Sequence, residues 1–304
     1  MARSPLGVIL TGGRATRLRP LSEGMPKSLI PLLNRPLIAY AVDLLAEAGL
    51  REVVVVVGPD DDRTGPAAIA AAPPGVEVSV AVQHEPKGSG DALTSVGDAL
   101  DGRHVVVLAV DAVLRGSLRP HVDAFMASEY DAWFVLHETD RPREMGIVTL
   151  EGDRVTHLEE KPEEPRSNLA LVGVWMVAPH VVAEMRRAPL VSPRGEVELS
   201  GTLQVRHAEG RPMGGSVFDG DWLDAGTLAA LLTTQGTLLG ERPSLVADDA
   251  SVEDSRLGPN VVVGAGAVLR RVTLAHALVA PGAHLEGVEA SHIVVTGDGS
   301  VTSA

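Results

Sequence analysis

Leu6-Gly7-Val8-Ile9-Leu10 is a short apolar run. It leads directly into Thr11-Gly12-Gly13-Arg14-Ala15-Thr16-Arg17-Leu18-Arg19-Pro20-Leu21, and then into Pro26-Lys27-Ser28-Leu29-Ile30-Pro31-Leu32. The run reads as a buried strand. Two glycines straight after a strand let a backbone pass close to a bulky polyanion. Arg17, Arg19 and Lys27 then bring cations to the same segment. A purely structural turn needs neither Arg17 nor Lys27, so the combination suits a triphosphate. The loop matches neither the Walker pattern nor the dinucleotide glycine pattern.

Further strand signals lie at Glu52–Val57, Val76–Gln83, His104–Val110, Asp131–His137 and Leu171–Val177. Helical periodicity falls between several of them. In Leu37 to Ala48, residues Leu37, Ala41, Leu44, Leu45 and Ala48 share one face, and Gly49 stands where a glycine ends a helix. Ala92–Leu100 and Leu118–Ser128 read similarly. Continuously apolar strands alternating with helices predict an α/β fold whose sheet is mostly parallel and covered on both faces. Ligands of such sheets bind beyond the carboxyl ends of the strands, where Gly12-Gly13 falls.

The pattern changes near Arg242-Pro243. Beyond it, aliphatic residues recur at Val246, Val252, Leu257, Val263, Leu269, Leu274, Val279 and Leu285, five or six residues apart. Glycine- and proline-containing turns separate them. A period near six, with an aliphatic residue pointing inward at each corner, predicts a short hexapeptide β-helix of fewer than three coils. The expected domains are therefore 1–242 and 243–304.

Bulk properties remove several function classes. The 304 residues carry a net charge of -14, so no basic surplus exists for nucleic acid or an anionic membrane. Cysteine is absent, which excludes disulfides, thiolate catalysis and cysteine zinc sites. Val53–Val57 is a purely apolar run, but no such run exceeds six residues, which is far too short to span a bilayer. Pro5, Gly7 and Gly12-Gly13 interrupt any signal-type region, so a cytoplasmic location is expected. Ten histidines lack metal-ligand spacing. His276, His284 and His292 recur every eight residues and are read as surface positions.

Leu10 to Pro36 resembles the N-terminal signature of the sugar-1-phosphate nucleotidyltransferases. Gly12, Gly13, Thr16, Arg17, Leu18, Pro20, Leu21, Pro26 and Lys27 stand in register with it, and Ala15 replaces a customary glycine. The resemblance continues in order over roughly residues 6 to 235. It passes through Gln83-x-x-Pro86-x-Gly88-Ser89-Gly90-Asp91-Ala92, Asp111 at a strand end, Met145-Gly146-Ile147-Val148, Leu158-Glu159-Glu160-Lys161-Pro162, Ser167 to Trp175, and Trp222-Leu223-Asp224-Ala225-Gly226-Thr227. Val110, Ala112 and Gly201 are further departures.

The resemblance implies a Rossmann-like nucleotidyltransferase domain followed by a short left-handed β-helix. It implies transfer from a nucleoside triphosphate to a sugar 1-phosphate, with dTTP and glucose 1-phosphate as the first expectation. A guanylyltransferase acting on mannose 1-phosphate or a cyclitol phosphate is an alternative, and a non-catalytic sugar-nucleotide-binding regulator is another. By the same resemblance Arg17, Lys27 and Lys161 carry catalysis. Gly12, Gly13, Thr16, Gln83, Pro86 and Gly88 bind nucleotide. Gly146, Glu160 and Leu171 bind sugar. Asp111 and Asp224 hold the cofactor, Mg2+. Partners are the two substrates and further copies of the chain, with no nucleic acid and no membrane. A glutamine amide sets a donor beside an acceptor, which fits a pyrimidine edge.

Overall fold

The computed structural model describes residues 3–13, 15–192 and 194–304, so Arg14 lies outside the described residues. Two compact units form: Met1–Gly13 with Ala41–Trp222, and Arg14–Tyr40 with Leu223–Ala304. The boundary expected at residues 242 and 243 falls inside the second unit.

The first unit is built on a nine-stranded sheet. Its strands are β1 (Leu6–Leu10), β2 (Glu52–Val57), β3 (Glu77–Val82), β4 (Val105–Ala109), β5 (Ala132–Glu138), β6 (Gly146–Glu151), β7 (Arg154–Glu160), β8 (Leu169–Val177) and β9 (Met213–Val217). Their order is β3-β2-β1-β4-β8-β5-β9-β7-β6, with β8 also paired to β6. The pairs β3–β2, β2–β1 and β1–β4 run parallel, as does β5–β9. The remaining pairs are antiparallel. The mostly parallel sheet expected from sequence is therefore confined to its first half. The direction changes at β8, which runs antiparallel to β4, β5 and β6. β6 and β7 are joined by Gly152-Asp153 alone, and so short a connection makes that pair antiparallel as well.

All five residues of β1 are buried, and Gly7 lets neighbouring side chains close on the strand. A Cβ there would stand 3.0 Å from Leu45 Cδ1 and 3.2 Å from Val53 Cγ2. The helix Leu37–Glu47 ends as its sequence predicts. Gly49 adopts φ +93, and the Leu50 amide donates to the Leu45 carbonyl at 3.1 Å. β3 is the sheet's edge, so its residues are largely exposed.

In the second unit, parallel partners sit 16 or 17 residues apart. Ser244, Val261, Ala277 and Ile293 form one column, and Ser251, Val268 and His284 another. Val246, Val263, Val279 and Val295 stack in register, and the last three are buried. Ile293 and Val295 supply a fourth rung beyond the eight positions read from sequence. Val252 departs from its expected inward place: it is 36% exposed, because Ser251–Glu253 is the edge strand of its three-stranded sheet. Left-handed turn residues recur with the same spacing at Asn260, His276 and His292. The last two rings stack 4.5 Å apart. Helix Leu228–Leu239 is clamped to these strands by Gln235, whose amide donates to the Asn260 and Ala277 carbonyls, both at 3.1 Å. Among the described residues, no helix is long and apolar enough to cross a membrane.

One charged cluster ties the first unit together. Asp131, 5% exposed, accepts from Arg206 at 2.8 Å and faces His180 at 2.9 Å. Arg206 also holds Glu184 at 2.5 Å. Burial pushes Asp131 up, but the Arg206 and His180 contacts outweigh it and hold the carboxyl below its ordinary value. The Arg206 hydrogen bond likewise lowers Glu184. A depressed carboxylate stabilises the fold above its unfolded pKa and loses that contribution as pH falls through the folded one. Stability should therefore decline below about pH 4. Arg206→Met leaves Asp131 to His180 and to Arg211, which lies 3.3 Å away, so it should cost about 1–3 kcal/mol at neutral pH and should make that acid limb shallower. Urea titrations from pH 7 to pH 3 measure both.

Candidate active site

In the first unit the parallel strands stop in step. The Val110 amide donates to the Leu10 carbonyl at 3.1 Å, so the glycine loop after β1 and the turn after β4 leave the sheet side by side. Thr11 is held back by its hydroxyl, which donates to the Val56 carbonyl at 2.6 Å. Gly12 and Gly13 then emerge exposed. Gly13 takes φ +123, and among the described residues no heavy atom beyond its chain neighbours lies within 4 Å of where its Cβ would be. Asp111 occupies the turn before the strand Ala112–Arg115.

Gln83 follows β3, and its side chain is fixed. Its Nε2 donates to the Gly88 carbonyl at 3.0 Å and to Asp91 Oδ2 at 2.7 Å. Two acceptors orient the amide, so its Oε1 is turned toward Gly12, 3.7 Å from the place of a Cβ there. Asp91 is the residue that sequence reasoning passed over. An acid at the third position of the helix Ser89–Thr94 was the available signal. Gly88 has its own packing reason: at φ +103, a Cβ would meet the Val197 carbonyl oxygen at 2.5 Å. Pro86 is exposed in the intervening loop.

Gly146, Glu160 and Leu171 come together at one end of the sheet. Gly146 pairs with Glu160 across β6 and β7. A Cβ at 146 would stand 2.8 Å from both Glu160 Oε2 and Leu171 Cδ1. Lys161 follows in a left-handed conformation, φ 49, with its amide donating to the Met145 carbonyl at 2.9 Å and its Nζ 3.7 Å from Glu160 Oε1. A lysine held there costs about 1–2 kcal/mol, and backbone strain of this kind gathers at working sites. Gly173 relieves a bulge in β8, where Ala112 and Ala109 approach its missing Cβ at 3.2 and 3.3 Å.

The second unit carries Thr16, Arg17, Lys27 and Asp224. Thr16–Leu18 and Lys27–Leu29 are single 3-10 turns, with Thr16 and Arg17 exposed. Asp224 is exposed, and its Oδ1 accepts from the Gly226 amide at 2.8 Å. A Cβ on Gly226 would lie 3.0 Å from that oxygen and 3.7 Å from Arg17 Nη2, so glycine lets cation and carboxylate flank one turn. Ala15, at φ 45, takes the left-handed backbone for which glycine is better suited.

No group of three or more His, Asp or Glu able to hold a metal occurs among the described residues. Asp111 in the first unit and Asp224 in the second each offer hard carboxylate oxygens, the donor type that Mg2+ takes together with water and substrate phosphates.

Residues 6–240 match the family model described as nucleotidyl transferase. A glucose-1-phosphate thymidylyltransferase of Streptomyces griseus is 32% identical over 276 residues, covering 85% of this chain and 78% of the relative. A UTP–glucose-1-phosphate uridylyltransferase of Haloferax volcanii is 32% identical over 233 residues, covering 72% of this chain and 90% of the relative. The structure also superposes on a crystallised Bacillus anthracis protein assigned to the glucose-1-phosphate thymidylyltransferases, in complex with sucrose. There the TM-score is 0.68 at 25% identity, over 77% of this chain and 95% of that one.

Two glycine exchanges test the loop geometry in opposite directions. Ala15→Gly should stabilise the protein by about 1 kcal/mol by relieving its left-handed alanine. Gly88→Ala should destabilise it by about 2–4 kcal/mol, because the new Cβ meets a backbone oxygen at positive φ. Chemical denaturation reads both, and a loss of stability in Ala15→Gly would contradict the assigned backbone.

Proposed function

The chain belongs to the nucleotidyl transferase family, and on that premise we propose that it joins a nucleoside triphosphate to a sugar 1-phosphate, with dTTP and glucose 1-phosphate as the preferred pair. The observation that carries the reading is the cluster of Gly146, Glu160, Leu171 and Lys161. It combines a close backbone approach, a carboxylate acceptor for hydroxyls, an apolar wall and a phosphate-binding cation. The fixed Gln83 supports the choice of base. Its carbonyl oxygen can accept from the imide N–H of thymine or uracil, and cytosine has no proton at that position.

In the proposed reaction an oxygen of the sugar phosphate attacks the α-phosphorus. The new O–P bond forms as the α–β bridging bond breaks, and pyrophosphate leaves with the electron pair. The attacking oxygen is already ionised, so no protein base is needed. The work is positioning and charge stabilisation. Lys161 holds the sugar phosphate. Arg17 and Lys27 meet charge growing on the leaving group. Gly12, Gly13 and Thr16 line the path of the triphosphate, and Pro86 and Gly88 shape the base loop. Asp111 and Asp224 are the residues that would hold Mg2+, which would supply positive charge to phosphate oxygens. The parallel register of the C-terminal strands supports a short left-handed β-helix for 243–304. A cytoplasmic homo-oligomer belongs to the same proposal.

The test is a panel of dTTP, UTP, GTP, ATP and CTP against several sugar phosphates, read by pyrophosphate release. dTTP with glucose 1-phosphate should lead and chelation of divalent metal should stop it. Preference for GTP with a mannose or cyclitol phosphate would replace the pair. No release with any pair would overturn the enzymatic reading. Asp111→Asn and Lys27→Ala should each lose at least about 100-fold in turnover while keeping the wild-type melting temperature. Gly146→Ala should raise KM for the sugar phosphate with little change in melting temperature, since the Cβ displaces the movable ends of Glu160 and Leu171. Near wild-type kinetics in these variants would count against the assigned roles.

A further inference from the structure

The segment that carries Lys27 does not end at the signature. Pro31 pairs with Pro36 and Leu32 with Arg35 in a small hairpin. Its two turn residues, Leu33 and Asn34, both lie at positive φ, 50 and 61. That is the two-residue turn that suits asparagine and strains leucine. At its tip the Asn34 Nδ2 donates to the Val263 carbonyl at 3.0 Å. Val263 is fully buried in the stacked column of the C-terminal strands, and its carbonyl also accepts from the Ala247 amide at 3.0 Å. Asn34 therefore takes the second lone pair of a backbone oxygen already fixed in the ladder.

The hairpin is bonded back to Lys27. The Ile30 amide donates to the Lys27 carbonyl at 3.2 Å, and the Leu37 amide donates to the Ile30 carbonyl at 3.1 Å. The Tyr40 hydroxyl donates to the Leu32 carbonyl at 2.8 Å, and the Arg35 guanidinium lies 5.0 Å from the Tyr40 ring centre. Ser28, Ile30 and Leu32 are fully buried. Residues 27–40 thus form one internally braced piece. Asp224 is referred to the same strands by another route. Its carbonyl accepts from the Thr234 hydroxyl at 2.7 Å, on the helix that Gln235 clamps to the column.

We propose that Asn34 is a positioning residue for the triphosphate, and that the C-terminal strands are the frame against which Lys27, through the Pro31–Pro36 hairpin, is set. The inference rests on the reaction proposed above and adds that the tail serves the phosphate half of that reaction. The side chains proposed for the sugar belong to the first unit, so the sugar phosphate should be indifferent to Asn34.

The test uses the full chain with two exchanges that keep the turn. Asn34→Gly retains left-handed freedom without the donor, and Asn34→Asp retains the shape without the N–H. Both should raise KM for the triphosphate about five- to tenfold and lower turnover with it, because Lys27 then meets the bound triphosphate and the charge growing on its leaving group from a less fixed place. KM for the sugar phosphate should stay within about twofold, and melting temperature should be close to wild type. An unaltered triphosphate KM in both variants, or an equal rise in both KM values, overturns the inference alone. Absence of triphosphate turnover in the wild-type chain overturns the reaction and the inference with it.

Discussion

The hydrogen bond from the Val110 amide to the Leu10 carbonyl fixes the point on which the first unit depends. It makes two parallel strands end together, so that two glycines leave one and Asp111 leaves the other. β1 is saturated on both sides by β2 and β4 and buried along its whole length. It has no freedom to slip, because a one-residue shift would turn every side chain to the other face. The loop inherits that precision. In the proposed reaction such precision matters, because a backbone that binds phosphate works only if its amides are aimed before the ligand arrives.

Much of this was legible in the sequence. The strands Leu6–Leu10 and Glu52–Val57 have the bounds their apolar runs predict. Gly49 ends its helix as a positive-φ glycine should. The aliphatic recurrence after Arg242 does produce stacked columns of buried valine and leucine. These features are local, set by chain period and by one residue's backbone preference. What stayed hidden was set by distant partners. The hairpin β6–β7 has too mixed a pattern to declare itself, and the antiparallel entry of β8 is settled only by its partners β4 and β5. Gly88 looked like a ligand glycine, while Val197, more than one hundred positions on, already forbids a side chain there. Asn34 reads as an ordinary turn residue until Val263 is found beside it.

The candidate site divides in the same way. The family resemblance nominated Gly146, Glu160 and Leu171, and the fold brings those three within contact of one another. Spacing could not show that Asp91 fixes the Gln83 amide, nor that Gly226 lets Arg17 lie near Asp224. The departures also gain physical content. Ala15 keeps the left-handed backbone that a glycine would take at lower cost. Gly201, inside the helix Leu199–Ala208, leaves ordinary contact distances of 3.6 Å to Glu198, so a larger residue would fit there.

The central claim is that bond breaking occurs between the α- and β-phosphorus of a triphosphate, with a sugar phosphate as the attacking group. Positional labelling tests it most directly. With dTTP labelled at the α-phosphorus and glucose 1-phosphate, the label should appear in a sugar nucleotide. With label at the γ-phosphorus, it should appear in pyrophosphate. Label from the α-position in free thymidine monophosphate, or from the γ-position in inorganic phosphate, with no sugar nucleotide formed, would contradict the account.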